Sequence, residues 1–308
     1  MLASRDRKAG EQAGAVSGSG LAASSPWVAA LELGYGSRDG QTQPLLRKHV
    51  GPLRVLKGYR PDGADCWEQV IVHPPGGIAS CDQLSIDVDA GADAHVLLTT
   101  PGATKWYRAG PGGLQADKAS QRVNIAVAPG ATVEWLPLEN IFYDGVDAEL
   151  ENSFELAAGA GLICAELSCL GRPAAQAPFE HGRLAMRTRI AREGRLIFSE
   201  RIALAGQDRA MQAPAGLNGY PCFGTLVAVP AQATPEGQLG ELVAQVRTHA
   251  AQSIPAAQFS ITALPASILV RWRGDSAEAG WQALRLAWQM LREPLLGLAP
   301  QTPRIWAC

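Results

Sequence analysis

The sequence predicts a mostly β protein, an elongated β-helix-like stack of strands and hairpins with two α-helices in its C-terminal part. Apolar and polar residues alternate over residues 84–88 and 123–127, which is typical of half-buried strands. A strand–turn–strand pattern occurs three times between residues 84 and 163. Helical spacing of apolar residues begins only after residue 230.

The recurring pattern consists of a strand, a Gly-Ala turn and a second strand. Its turns begin at Gly91, Gly130 and Gly159, so the spacings are 39 and 29 residues and there is no fixed repeat period. The pattern predicts stacked hairpins; alternatively, it reflects only the frequency of glycine turns in any all-β protein. A further hairpin is predicted at residues 192–195, where Gly194 lies between two alternating segments.

The two predicted helices cover residues 234–249 and 276–292. Thr234 is a suitable N-cap for the first, and Asp275 opens a sequence resembling a capping box before the second. Pro294 is expected to end the second helix, because proline cannot donate the next helical hydrogen bond. Each apolar stripe either docks on a partner or packs on the chain's own β core, which is the commoner arrangement.

Composition and charge restrict the class of partner. The 308 residues include 27 Lys and Arg against 29 Asp and Glu, and this net charge of −2 argues against a nucleic-acid binder. No apolar run reaches the roughly 18 residues of a membrane span, and the N-terminus lacks a secretory signal, so we expect a cytoplasmic protein without a membrane partner. Residues 1–25, rich in Gly, Ser and Ala, predict a disordered leader before a single domain at residues 26–308.

The most distinctive local sequence is His73-Pro74-Pro75-Gly76-Gly77-Ile78, followed by Asp82. Two prolines and two glycines predict a sharp, rigid turn with close backbone approach. The turn is either purely structural, or it positions His73 or Asp82 for a function.

The carboxylates Glu134 and Glu139 are compatible with several functions. They could form an acid pair for glycoside hydrolysis, line a polar path for a hard or borderline cation, or simply lie on the surface. The chain contains no G-x-S-x-G, G-x-G-x-x-G or C-x-x-C motif and no metal-ligand spacing of histidines. A β-stack carbohydrate-active enzyme using Glu134, Glu139 or Glu166 is therefore the alternative, and a non-catalytic protein is the leading interpretation.

Seven motifs follow one another along the chain in a definite order. They are Arg47-x-His49-x-Gly51-Pro52-Leu53-Arg54-Val55; His73-Pro-Pro-Gly-Gly-Ile78 with Asp82; Leu98-Thr-Thr-Pro-Gly-Ala103 with Lys105-x-Tyr107-Arg108; Glu134-Trp-Leu-Pro137 with Glu139; Glu166-x-x-x-Leu170-Gly-Arg172-Pro173; Glu200-Arg201; and Pro303-Arg-Ile-Trp306. Together they resemble the UreD family of urease accessory proteins, called UreH in some organisms, over residues 27–308. No single motif carries the resemblance alone.

The resemblance implies a non-enzymatic maturation factor and chaperone. Proteins of this family bind the urease apoprotein and the accessory protein UreF, and UreF recruits the GTPase UreG, which brings nickel. The assembly promotes lysine carbamylation and nickel insertion at the urease active site. No tightly bound cofactor is expected; nickel is in transit, and a water-filled passage has been proposed as its route. The family fold is a helix-like stack of strands with two helices.

Nickel in transit needs oxygen or nitrogen ligands that are weak and sequential, so that the ion can leave each one. Within the motifs, we expect Asp82, Glu139 and Glu166 to provide them, followed by Glu134 and His73.

Three positions differ from the pattern of the family. Ser80-Cys81-Asp82 lies where Gly-Gly-Asp is usual, Leu138 lies where Gln is usual, and Cys308 replaces a terminal Thr. The Cβ atoms at positions 80 and 81 tighten a turn that is expected to need positive φ.

Overall fold

The computed structural model describes residues 27–61, 65–110, 118–232, 234–235 and 237–307. The predicted leader at residues 1–25 and the unusual Cys308 lie outside these ranges. Within them, the chain forms seventeen strands and three α-helices, together with short 3₁₀ helices at Pro173–Ala175 and Arg304–Ala307.

The strands and helices are numbered in chain order. The strands are β1 (Val28–Arg38), β2 (Gln41–Val50), β3 (Arg54–Val55), β4 (Trp67–Val72), β5 (Gln83–Ala90), β6 (His95–Thr99), β7 (Thr104–Trp106), β8 (Ala119–Val127), β9 (Thr132–Leu136), β10 (Asn140–Phe142), β11 (Asp147–Leu156), β12 (Gly161–Leu170), β13 (Arg183–Arg192), β14 (Arg195–Ala205), β15 (Cys222–Val229), β16 (Phe259–Leu264) and β17 (Ser267–Gly274). The helices are α1 (Arg209–Gln212), α2 (Gln238–Ala250) and α3 (Ala277–Leu296).

Two sheets face each other. Sheet 1 has the order β14-β13-β11-β8-β5-β1-β2, and sheet 2 has the order β16-β17-β15-β12-β9-β6-β4-β3, with β10 beside β12 and β7 beside β10. From β5 to β12 the chain alternates between the sheets, and each new strand lies parallel to the strand one coil earlier, as β8 does to β5 and β9 to β6. This winding confirms the mostly β, β-helix-like prediction.

The three Gly-Ala turns are corners of this winding, so the prediction that they close hairpins is wrong. Each turn carries the chain from sheet 1 to sheet 2. Adjacent corners are joined by hydrogen bonds from Thr132 N to Ala94 O (2.8 Å) and from Gly161 N to Ala131 O (2.9 Å). Because the corner strands find their partners in neighbouring coils, the local sequence looks like a hairpin without forming one.

Antiparallel hairpins occur before and after the parallel coils. β1 pairs with β2, and β13 pairs with β14 as predicted. The second turn contains Glu193 and Gly194, both with positive φ (50° and 75°), which matches the twist of a tight hairpin.

Sheet 2 is buried on both faces. Its inner face packs against sheet 1, and residues such as Trp135 and Cys164 belong to that core. Its outer face packs against α2 and α3 through residues such as Leu136, Ala165 and Leu167. The nearly continuous apolar run of β12 follows from this position between two layers.

The helix layer confirms two long C-terminal helices, with different boundaries. α2 begins at Gln238 with Gly237 as N-cap, so Thr234 does not cap it. The N-cap of α3 is Ser276 rather than Asp275, and its side chain accepts a hydrogen bond from Ala279 N (3.2 Å). The apolar stripes of both helices are buried in the core that they share with sheet 2.

Pro294 lies inside α3 and does not end it. The helix continues through Leu295 and Leu296, which are buried, and it ends at Gly297 in the left-handed region (φ 70°). Burial of these two leucines outweighs the loss of one helical hydrogen bond. Among the described helices, none is long and apolar enough to cross a membrane.

Candidate functional site

A cavity of about 240 Å³ lies between the two sheets. Sheet 1 contributes Gln121 and Asn152, sheet 2 contributes Glu166, and the turn after β4 contributes His73. Leucine, isoleucine and tryptophan side chains form much of the remaining wall. The cavity therefore presents a few polar groups against an apolar background.

Glu166 reaches the cavity because it lies on the inner face of sheet 2, alternating with the outward Ala165 and Leu167. Thr188 Oγ1 on β13 donates a hydrogen bond to Glu166 Oε2 (3.2 Å). Burial raises the pKa of the Glu166 carboxyl to about 7, against the opposing effect of hydrogen bonds from Asn152 and Thr188. At neutral pH this group exchanges readily between the protonated and the ionised form.

His73 is half-buried, and its ring packs edge-on against Trp27 with centroids 6.2 Å apart. Neither ring nitrogen has a hydrogen-bond partner among the described residues. Burial lowers the pKa of the imidazole, against the attraction of Asp82. The neutral form, which can offer a nitrogen lone pair, is therefore favoured.

The His-Pro-Pro-Gly-Gly segment forms the expected sharp turn. Gly76 has φ 80°, and a Cβ on Gly77 would lie 2.3 Å from the Tyr107 ring. Ile78 N donates to Lys105 O (2.7 Å), which attaches the turn to β7. The glycines thus allow this turn to form one end of the cavity.

Asp82 closes the next turn and does not line the cavity. Its two carboxylate oxygens accept hydrogen bonds from Trp27 N and Ala79 N, both 2.8 Å long. Cys81 has φ 64°, so the turn does need the positive φ that glycine would adopt more easily. The observed contacts of Asp82 are those of a residue that anchors β1 to β5.

Glu134 faces α3, on the opposite side of sheet 2 from Glu166. It is fully buried and receives hydrogen bonds from Arg292 Nη2 (2.7 Å) and Arg292 Nε (2.9 Å), and another from Trp288 Nε1. Glu139 lies beyond β9 and accepts a hydrogen bond from Trp281 Nε1 (3.0 Å). Both carboxylates connect the coil to the same helix.

The structure therefore divides the five predicted nickel ligands. His73 and Glu166 share the cavity, whereas Asp82, Glu134 and Glu139 do not line it. The described residues contain no group of three or more His, Cys, Asp and Glu side chains in a metal-binding arrangement. Glu134 and Glu139, the pair suggested for glycoside hydrolysis, are both held by side chains of α3 and do not line the cavity, and Glu166 lies on the opposite face of sheet 2.

One functional candidate was missed in the sequence. Beyond Glu166 the interior continues as a void of about 10 Å³, which Thr188, Glu200 and Thr225 also line. Glu200 forms an ion pair with Arg271 on β17. The signal was present, since Glu200 belongs to the Glu200-Arg201 motif and alternates with outward residues along β14.

Comparison with known proteins assigns the family. A family model described as "UreD urease accessory protein" matches residues 28–307. The chain is 41% identical over 285 residues to "Urease accessory protein UreD" of Azoarcus sp. strain BH72, covering 92% of this chain and 95% of that protein. It is 40% identical over 282 residues to the protein of the same name from Nitrosococcus oceani, covering 91% and 90%, and 39% identical over 282 residues to that of Pseudomonas aeruginosa, covering 91% and 95%. The chain belongs to the UreD family of urease accessory proteins.

Proposed function

We propose that this accessory protein is a non-catalytic urease maturation chaperone of the cytoplasm. It binds the urease apoprotein and a UreF-like protein, and through the latter a UreG-like GTPase. Within this assembly it assists the delivery of nickel to the urease active site. The ion passes through the interior between the two sheets.

The observation that carries the proposal is the polar cavity that contains His73 and Glu166. Imidazole nitrogen and carboxylate oxygen are both suitable ligands for a borderline divalent cation such as nickel. The two residues come from different elements, and the cavity is also lined by amide side chains, two threonines, Lys105 and apolar residues. Ligands met one after another hold an ion weakly enough for it to move on.

The interior beyond Glu166 gives the proposed route a direction. The cavity and the small void share Trp135, Asn152 and Glu166, so Glu166 lies where one space meets the other. An ion leaving Glu166 next encounters Thr188, Thr225 and the Glu200 carboxylate. In this proposal Asp82, Glu134 and Glu139 hold the walls of the route rather than the ion.

Exposed apolar side chains support the proposed role in a protein complex. They concentrate on β1, β2 and the adjoining segments, where a stable protein normally shows few of them. The residues are Trp27, Val28, Leu45, Leu46, Val50 and Leu56.

The test combines complex formation with nickel content. The protein is co-expressed with its UreF-like partner, the GTPase and tagged urease apoprotein, and the nickel bound per purified urease is measured. We expect a stable complex with wild type, and Glu166→Gln should keep the complex but deliver less nickel. The matched control is Glu155→Gln, which changes an exposed carboxylate on the outer face of sheet 1.

Each outcome bears on a different part of the proposal. A soluble, folded wild-type protein that binds neither partner would refute the maturation role itself. Normal nickel loading with Glu166→Gln would refute the route and leave the scaffold role standing.

A further inference from the structure

A groove of about 700 Å³ runs along the free edge of β14, between that strand and β15 and β17. Its floor includes the buried side chains of Leu204 and Phe223. Arg201, Arg271 and Arg273 line it, and no aspartate or glutamate is among its lining residues. The chain as a whole carries a net charge of −2, so this positive charge is a local feature.

Two of the three arginines have no carboxylate partner within the described part of the chain. Arg201 forms no ion pair there, and its direct neighbour across the hairpin is another arginine, Arg187. The same row continues from Arg187 to Glu151, which already pairs with Arg122, so three arginines on this face share one carboxylate and further negative charge is favourable there. Arg273 donates hydrogen bonds to backbone carbonyls, including Pro214 O at 2.8 Å, which hold its guanidinium at the groove.

The third arginine connects the groove with the interior. Arg271 forms an ion pair with Glu200 and donates a hydrogen bond to Thr225 Oγ1 (3.3 Å). Thr225 lines both the groove and the small void beside Glu166, and Glu200 lines that void. The Arg271 side chain is 46% exposed, whereas that of Glu200 is 12% exposed. Arg271 thus places a positive charge at the end of the interior route.

We propose that the groove binds an extended, acidic segment of a partner protein, and that a carboxylate of this segment replaces Glu200 on Arg271. The replacement exchanges one ion pair for another, so it leaves no charge unpaired on Arg271. It frees the Glu200 carboxylate to face the interior beside Glu166. The inference rests on the proposed nickel route. It explains how a nickel ion passes the end of that route, where the positive charge of Arg271 would otherwise repel it.

The shape of the groove favours a protein segment as the occupant. An edge strand has backbone N–H and C=O groups pointing away from its sheet, and an extended peptide can pair with them. A strand added to β14 would place one set of alternate side chains on the inner face, beside Leu204 and Arg271, and the other set on the outer face, beside Arg201. Acidic residues on both faces, with an apolar residue that reaches Leu204, are therefore the chemistry that this groove recognises.

The first experiment measures binding without any urease component. A fluorescein-labelled peptide of Glu-Glu-Val repeats, which presents glutamates on both faces of a strand, is titrated with the full-length protein, and anisotropy gives Kd; a peptide of Lys-Lys-Val repeats is the probe control. We expect the acidic peptide to bind more tightly, and Arg201→Glu to raise its Kd about tenfold at low salt. Arg195→Glu, on the same strand but outside the groove, should leave the Kd within about twofold.

The second experiment tests the exchange at Arg271. If Glu200 and the peptide compete for Arg271, Glu200→Gln should lower the Kd of the acidic peptide severalfold. In an Arg271→Gln background the peptide should bind more weakly and Glu200→Gln should have no further effect, while Arg271→Lys should behave like wild type. Circular dichroism of each variant establishes that it is folded.

The outcomes separate this inference from the proposed function. Equal affinity for both peptides, or unchanged affinity with Arg201→Glu, would overturn the acidic docking groove. Peptide binding with a Kd that Glu200→Gln leaves unchanged would overturn the exchange at Arg271. Neither result depends on nickel loading of urease, so the proposed function can fail while the groove stands, and the reverse.

Discussion

Removal of the Glu134 carboxylate should destabilise the whole protein, because it pairs with a guanidinium that has no access to water. Glu134 is 0% exposed and Arg292 is 2% exposed. Their contacts join β9 to α3 across 158 residues of sequence. In Glu134→Ala, the buried Arg292 loses its hydrogen-bonded counter-ion and keeps only the coulombic attraction of Glu68, and the Trp288 N–H loses its acceptor.

The expected loss follows from these contacts. Breaking a buried ion pair by removing one partner costs about 3–5 kcal/mol, and an unsatisfied buried donor adds about 1–3 kcal/mol. Some of this is recovered when neighbouring groups relax, so we expect Glu134→Ala to lose about 4 kcal/mol. Since folded domains have about 5–15 kcal/mol of stability in total, the variant should unfold at a much lower urea concentration.

Urea unfolding, followed by circular dichroism and tryptophan fluorescence, measures the loss. The control is Glu134→Leu combined with Arg292→Met, which removes both charges and should recover most of the stability. A loss below about 1 kcal/mol for Glu134→Ala would refute the reasoning, because removing the carboxylate partner of a buried guanidinium is expected to lower the free energy of unfolding several times more than that. A double variant no more stable than the single one would show that packing, and not charge, dominates.

Three further predictions concern single residues. Glu166→Gln should gain stability relative to wild type as pH rises from about 5 to 8. The pKa of the wild-type carboxyl is about 7 in the folded protein against 4.5 ordinarily, so its ionisation lowers the free energy of unfolding of wild type but not of the variant. Melting temperatures at both pH values measure this, and a constant difference between the two proteins would contradict it. Cys81→Gly should raise the free energy of unfolding by about 0.5–1 kcal/mol, because Cys81 holds φ 64°; a decrease would argue against strain there. Gly171→Ala should lower that free energy by more than about 2 kcal/mol, because φ is +74° and the new Cβ would lie 2.4 Å from Ala177 O; near-wild-type unfolding would exclude this clash.

Local sequence signals predicted the coils but not the way they connect. Alternation fixes which side chains of a strand are buried, and Gly130 and Gly159 mark the corners because both adopt φ 72°. A corner between two sheets and a hairpin within one sheet use the same turn residues. The difference lies in which distant strand forms the hydrogen bonds, and a single sequence does not contain that information.

The site was predictable to a similar degree. Glu166 is the only charged residue in the otherwise apolar strand 161–170, which is a local signal of a polar interior. The partner of Glu134 is Arg292, and no pattern near either residue indicates their contact. Sequence reasoning therefore found the carboxylates but could not separate those that hold the fold from those that are free to act.

The contacts of each carboxylate now make that separation. A buried carboxylate paired with a buried arginine, as Glu134 is, cannot accept a nickel ion without leaving the arginine charge uncompensated. Asp82, bonded to two backbone N–H groups, would release its turn in doing so. Glu166 has only neutral partners, so it can exchange a proton for a cation at small electrostatic cost. Glu200 lies between these two cases, because its partner Arg271 is half-exposed and is therefore accessible to another anion. The proposed capacity to pass a cation thus depends on how easily each carboxylate can give up its present partner, and by that criterion the route we propose runs from Glu166 to Glu200.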